Sequence, residues 1–352
     1  AEVGRARVRG WVLASTGAFA SPGVLRLDDI EKGNMGFYDA YEGSGGGQST
    51  RLLGSLAVRG GERVPWSVMA WGGLRDLRLD QSFTGFYEDE VHGDGSRQTY
   101  RAGSAGVRAT LGWSARRVAV RAGLEGRLDR VRLGEAGLEP DGTVWEDRGA
   151  VRATQGGVAA WVAVPLRPVD GLRIEPGLRA QAFLVGVDEQ GLAWAPALAP
   201  KLAVALFEEG GVSGFASYGR GYRSPDVRGV GEGRAPVASA DGIEVGLRAT
   251  PVRPLALRLA GFATFVSDEI VFDHVEARYL ATGSTRRLGL DGGVEVRPVD
   301  GLMVRAELTW SDGRYTEGGD PIPYAPRLLG GVGVYTEALP LGPTALTAGL
   351  RT

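Results

Sequence analysis

Apolar and polar side chains alternate residue by residue along most of this chain. In residues 302–311, Leu302, Val304, Ala306, Leu308 and Trp310 share one face, while Met303, Arg305, Glu307, Thr309 and Ser311 share the other. Successive side chains of an extended strand point to opposite sides, so this segment reads as a strand with one apolar and one charged face. Residues 118–129 repeat the scheme, with Val118, Val120, Ala122, Leu124 and Leu128 against Arg121, Gly123, Glu125, Arg127 and Asp129. So do residues 172–184, where Ile174, Leu178, Ala180 and Ala182 oppose Arg173, Glu175, Arg179 and Gln181, and residues 105–113 and 288–297. Helix formers show no 3.6-residue period.

These strands run for about 10 residues or more, the length a tilted strand needs to cross hydrocarbon and well beyond the ~5–6 of soluble sheets. Short connections fall at 59–63, 114–117, 166–171, 208–211, 250–254, 297–301 and 336–343, and longer polar ones at 15–48, 80–96, 134–146, 221–240, 268–284 and 311–323. Short turns on one side and long loops on the other are the asymmetry of an outer-membrane barrel. The expected fold is therefore all-β, a transmembrane antiparallel β-barrel wall of roughly 14–16 strands. Trp66, Trp113 and Trp310 fall near strand ends, where an aromatic belt meets lipid headgroups, whereas Trp71 and Trp161 fall in phase with the charged face. The hexapeptide RPVDGL at 167–172 and again at 297–302 is shared turn chemistry, with Pro and Gly supplying the special backbone angles.

A soluble β-sandwich also alternates, but it would not need such long strands, such unequal loops or so much glycine inside strands, as at Gly289, Gly292 and Gly293. A face rich in Arg and Glu cannot pack a dry interior, so the barrel must be wide enough for water or an inserted domain. The 40 basic and 42 acidic residues alternate without blocks, which argues against nucleic acid as a partner. With no cysteine and only two histidines, disulfides, thiolate chemistry and a His-rich metal site are excluded, and no cofactor is expected. One architecture runs through residues 1–352. The chain opens without Met in a strand-like pattern and stops in another, so it is expected to be part of a longer protein.

Several segments then resemble the barrel of TonB-dependent outer-membrane receptors: YGRGYRSP at 218–225, SDEIVFD at 267–273, GSTRRLG at 283–289 leading into VEVRP at 294–298, PIPYAPR at 321–327 and FTGFYED at 83–89. The resemblance covers nearly the whole chain and is strongest over about 215–335. It implies a 22-strand barrel in the bacterial outer membrane, of which this chain holds the wall without the family's plug, TonB box or closing C-terminal strand. It also implies active uptake, through the TonB complex, of a scarce nutrient chelate: a ferric siderophore first, or cobalamin or another metal chelate. A passive porin, closed on itself with about 16 or 18 strands, is the alternative, and a soluble β-rich binding protein a third.

At the end of one strand, Arg220, Tyr222, Arg223 and Arg228, with Arg234, could attract an anionic chelate by charge and paired hydrogen bonds. The competing reading is a strand end that anchors its loop, with arginines of the kind common on barrel walls. Acidic groups at Asp28, Asp29 and Glu31 and at Glu88, Asp89, Glu90 and Asp94 offer oxygen ligands for Ca²⁺ but lack EF-hand spacing, so they read as solvated loop charge. His92 and His274 read as exposed loop residues with no triad partner in view, so no enzyme is expected.

Overall fold

The computed structural model describes residues 2–3, 6–21, 23–40, 45–82, 85–187, 191–207, 211–224, 237–273, 278–323, 325–341 and 344–351. The period-two segments pair into a single antiparallel sheet in strict chain order. Its strands are β1 (Glu2–Val3), β2 (Ala6–Ala20), β3 (Gly46–Gly60), β4 (Trp66–Gln81), β5 (Gly95–Ser114), β6 (Ala119–Leu138), β7 (Val144–Ala163), β8 (Leu172–Val187), β9 (Gly191–Phe207), β10 (Val212–Tyr222), β11 (Ser239–Val252), β12 (Leu255–Asp273), β13 (Arg278–Val299), β14 (Leu302–Tyr315), β15 (Leu328–Leu341) and β16 (Thr344–Arg351). Sixteen strands agree with the expected wall, and the sheet is open: among the described residues β1 pairs only with β2 and β16 only with β15. No helix among the described residues is long and apolar enough to cross a membrane.

Register makes the two faces continuous from strand to strand. Leu52 lies between Ala14 and Leu74, Ala70 between Leu56 and Val107, Leu124 between Ala109 and Ala160, and Leu290 between Gly261 and Trp310. This outer face leaves Leu56, Leu74, Leu124, Leu128, Leu198, Val245, Leu247, Leu259, Leu290 and Leu308 exposed. A contiguous apolar surface of that extent is not tolerated by soluble monomers, so the sandwich alternative fails and the surface must meet lipid. On β4 the band runs from Trp66 to Leu74 and then changes to Asp76, Arg78 and Asp80. On β14 it runs from Leu302 to Trp310 before Asp312 and Arg314. Each band is about 27 Å along the strand, or about 21 Å after a ~40° tilt, close to the ~25 Å apolar belt of such barrels. Trp66 and Trp113 rim it at the short-turn end and Trp310 at the long-loop end, as the aromatic pattern predicts.

Several features differ from the sequence reading, among them the loop expected at 268–284, where β12 runs to Asp273 and the ladder with β13 continues to Asp273↔Arg278. The loop expected at 134–146 shrinks to 139–143, because the cross-strand ladder between β6 and β7 continues to Leu138↔Val144. β8 ends at Val187 and β9 starts at Gly191, so one connection on the long-loop side is short. Between β2 and β3 the chain forms a one-turn helix, α1 (Leu27–Glu31), whose Asp28 bonds Arg26 at 3.0 Å and Lys32 at 3.2 Å.

Glycine within the strands has a specific physical reason. Trp71 lies opposite Gly106 and Trp161 opposite Gly123, both on the inner face. An added Cβ at Gly106 would sit 2.5 Å from the Trp71 ring, and at Gly123 2.5 Å from the Trp161 ring. Each indole is thus laid flat over a neighbouring backbone that has no side chain. Phe215 over Gly246 and Phe262 over Gly289 repeat the arrangement. This aromatic cover restores the packing an isolated strand glycine forfeits, and it explains why Trp71 and Trp161 run in phase with the charged residues.

Candidate functional site

The inner face is built from ion pairs that the same alternation brings together. In a strand, residues two apart share a face, so Arg173 and Glu175 on β8 lie side by side and pair at 2.7 Å. Arg121 of β6 and Lys201 of β9 reach the same Glu175 at 2.8 and 3.2 Å. Glu125 is held between Arg108 of β5 at 2.6 Å and Arg179 of β8 at 2.8 Å. Arg127 grips the buried Asp129 through two hydrogen bonds of 2.7 and 3.0 Å, and its guanidinium lies 5.4 Å from the centre of the Trp71 ring. Further round, Arg258 meets Asp291 at 2.8 Å and Arg305 meets Glu295 at 2.9 Å. Half-exposed pairs of this kind contribute about 0–1 kcal/mol each. Their consequence is electrostatic: the inner wall is densely charged and wettable, with a local excess of cations where two surround Glu125 and three surround Glu175.

Within this wall a cavity of about 540 Å³ is lined by Met69, Trp71, Arg108, Glu125, Arg127, Gln155, Arg179, Gln181 and Phe183, with Tyr222 and Ser224 at its edge. Both charge signs, amides and an aromatic face border it. Such a lining suits a polar, partly aromatic molecule or an inserted protein segment better than a lipid.

The predicted site residues are placed as follows. Arg220 is the third-last residue of β10, directly opposite Asp241, and makes two hydrogen bonds of 2.8 Å to its carboxylate. The Tyr218 hydroxyl donates to the same carboxylate at 2.7 Å. Asp241 shares its face with Ile243, Val245 and Leu247, so Arg220 belongs to the outer side of the wall with its charge already matched. Tyr222 closes β10, donates its hydroxyl to the Leu198 carbonyl at 2.9 Å and borders the inner cavity. Arg223 is exposed just beyond, its backbone N–H bonded to the Ala238 carbonyl. Arg228 and Arg234 lie outside the described residues, as does His274. Arg220 and Tyr222, two apart on β10, share one face by register, and their side chains interact at that strand end. The charge nests around Glu125 and Glu175 went unread, although an Arg and an acid two apart in a strand, as in Arg173-Ile174-Glu175, is a legible signal.

The acidic loops are scaffolds. Asp94 accepts the backbone N–H groups of Tyr87, Glu88 and Asp89 at 2.8–3.2 Å, and Asp89 accepts those of Val91 and His92 at 2.9 Å. No group of three or more His, Asp or Glu among the described residues is disposed to hold a metal ion. His92 is packed where an exposed residue was expected. It stacks on Trp145 at 4.4 Å between centroids, with Asp89 3.3 Å from Nδ1 and Glu139 3.8 Å from Nε2, clasping the β4–β5 loop to the β6–β7 loop.

The backbone N–H groups of His92 and Val91 hold the Asp89 carboxyl below the usual carboxylate range, as the Thr143 hydroxyl and N–H do for Asp141. A lowered folded-state value means that this contribution is complete above the ordinary carboxylate pKa of about 4 and is lost as pH falls through the lowered value. The loop segment 85–94 should accordingly resist limited proteolysis at pH 5 and become labile only well below pH 4. Asp94→Ala, which removes the acceptor of three backbone N–H groups, should speed cleavage there by at least about fivefold at neutral pH, the factor that one net hydrogen bond alone would give.

An open, ordered wall with an apolar outer face and an ion-paired inner face is the class of large outer-membrane barrels. The TonB dependent receptor-like, beta-barrel family matches residues 16–351, and the chain belongs to that family, one of transport receptors of the bacterial outer membrane. No curated relative matches by sequence. Among solved structures, the ferric citrate transporter FecA in its unliganded form superposes with a TM-score of 0.73 at 14% identity, over 94% of this chain and 53% of that one. The ferric preacinetobactin receptor BauA from Acinetobacter baumannii gives 0.70 at 11%, over 95% and 57%. The ferric yersiniabactin uptake receptor FyuA from Yersinia pestis gives 0.69 at 14%, over 94% and 54%. These likenesses concern the fold, and the chain spans about half the length of each.

Proposed function

We propose that this chain is the barrel wall of an outer-membrane receptor that takes up a scarce nutrient chelate, most simply a ferric siderophore, with energy supplied through the TonB complex. The observation that carries the reading is the inner wall: a charged, ion-paired face with cations in excess around Glu125 and Glu175, running through a sixteen-stranded sheet within a family of TonB-dependent barrels. The ferric-chelate receptors among the structural neighbours support an iron chelate, and cobalamin or another metal chelate fits the same wall. Binding and passage require no bond to be made or broken. Tyr222, Arg223 and Arg228 are the candidate contacts for an anionic chelate at the long-loop end, with Arg220 fixing that strand end through Asp241.

Expressed as the full-length receptor in cells stripped of their own receptors, the protein should support uptake of one class among ferric siderophores, ferric citrate and cobalamin, and deleting TonB should abolish it. Uptake that persists without TonB, rising linearly with solute concentration, would identify a passive porin instead.

A further inference from the structure

One sector of the inner wall carries cations without acids. On the face shared with Trp71, register places Arg51 opposite Arg75 toward the long loops, and Arg9 and Arg59 toward the short turns. Trp11 and Trp71 flank Ser55 between the two groups. No inward position of β2, β3 or β4 holds Asp or Glu. Acids do stand at the short-turn rim: Glu62 in the β3–β4 turn, and Glu2, which register sets opposite Arg7. Arg9, Arg51, Arg59 and Arg75 are exposed and have no carboxylate partner among the described residues, and Arg75 lies 5.3 Å from the centre of the Tyr100 ring. From β6 to β14 the inner face holds both signs, as where Arg179 meets Glu125 and Arg258 meets Asp291.

Arg51 and Arg59 lie on one strand, about 27 Å apart at the usual strand rise, so the cations mark both ends of the membrane-crossing stretch. Like charges directly opposite, as in Arg51 and Arg75, repel across a ladder, and here no acid of the wall offsets them. Leu52 and Leu74 put hydrocarbon behind the same strands, and a charged cleft with low-dielectric walls concentrates counter-ions within it. At the short-turn end Arg59 lines a hollow of about 720 Å³ with Arg121 and Trp161, with Glu62 at its edge. An anion admitted at Arg51 and Arg75 therefore meets a second cationic station near the exit, with indole and hydroxyl surface between and no inward carboxylate to repel it. A neutral solute gains nothing from these stations, and a cation is repelled. Cations at the two ends with an uncharged stretch between suit successive stops of one small anion.

We propose that the inner face of β2 to β4 is the route by which an anionic chelate crosses this barrel, received by Arg51 and Arg75 and drawn onward by Arg9 and Arg59. The proposal rests on the uptake function proposed above and adds the charge of the cargo and the side of the lumen it follows. Cells carrying the full-length receptor, its Arg9→Gln/Arg59→Gln variant or its Arg9→Lys/Arg59→Lys variant are offered labelled ferric citrate, an anionic ferric tricatecholate, a cationic ferric trihydroxamate and cobalamin. Surface binding is read on energy-depleted cells, uptake on energised ones, and both are scaled to inserted receptor. The wild type should take up one of the two anionic chelates. The Gln variant should bind that chelate within about twofold of wild type yet take it up about tenfold more slowly, the lower end of the concentrating effect of a charged cleft. The Lys variant, which keeps the charge, should recover most of the rate. Equal uptake by wild type and Gln variant, a Lys variant as slow as the Gln variant, or wild-type uptake of the cationic chelate or cobalamin alone would overturn the route. So would binding and uptake lost in parallel, the result expected if the arginines hold a resident protein segment. Should the double variant insert poorly, Arg59→Gln alone, at an exposed position, should still slow uptake about threefold with binding intact. Wild-type uptake of none of these solutes would overturn the uptake reading itself, and the route with it.

Discussion

Replacing Ala306 with arginine is expected to lower the folding free energy in a bilayer by about 2–4 kcal/mol, the cost of a charge at the middle of a barrel's lipid face. Ala306 is the central outward position of the β14 band, flanked across the ladder by Val294 and Val332. Nothing polar is at hand to receive a guanidinium, and neither lipid headgroup region is within easy reach. The neighbouring change Thr309→Arg should behave differently. Thr309 is on the inner face and donates its hydroxyl to Asp291 at 2.8 Å, so a guanidinium there meets water and a carboxylate. Its effect should stay within about 0.5 kcal/mol. Urea titration of both variants of the full-length receptor in phospholipid vesicles measures the contrast, and equal costs would reject the assignment of faces.

The second large effect is steric. Gly123→Val should destabilise by about 1–3 kcal/mol, the usual cost of forcing extra methyl groups into an occupied space. The space is occupied by the Trp161 indole, already 2.5 Å from where the new Cβ would stand. Removing the ring removes the collision, so Trp161→Ala combined with Gly123→Val should be less destabilised than the sum of the two single changes. A coupling energy of about 1 kcal/mol or more in that cycle supports the cover, and additivity contradicts it. The same outcome is expected at Gly106 with Trp71, since the geometry is the same.

Much of the wall is legible in the order of its residues because strand periodicity is local. The assignment of Leu302 to Trp310 outward and Arg305 and Glu307 inward needs no knowledge of any neighbour, and register bears it out. Strand ends are less legible. The extension of β6 to Leu138 and β7 back to Val144 depends on pairing between them, aided by Trp145 lying over Gly137, and neither partner announces the other. The cover of Gly123 by Trp161 is likewise a property of register, because the two residues are far apart in the chain and meet only once β6 and β7 are aligned.

The candidate site shows the same division. That Arg220 sits at a strand end was readable, but that Asp241 stands opposite it was not, since that requires the alignment of β10 with β11. The acidic loops looked like solvated charge or cation ligands because composition does not reveal that Asp94 and Asp89 turn their oxygens toward backbone N–H groups of their own loop. Short polar side chains that accept nearby N–H groups are a common turn device, so such clusters in barrel loops deserve that reading before a metal is invoked.

The central claim is that alternate residues of these strands face lipid and water. This chain contains no cysteine, so single cysteines bearing a spin label can be placed along residues 302–311 of the full-length receptor in bilayers. Accessibility to oxygen, which concentrates in hydrocarbon, should peak at 302, 304, 306, 308 and 310, and accessibility to a water-soluble nickel chelate at 303, 305, 307, 309 and 311. A two-residue oscillation in that phase is the predicted result, and a flat profile or the opposite phase would contradict the account.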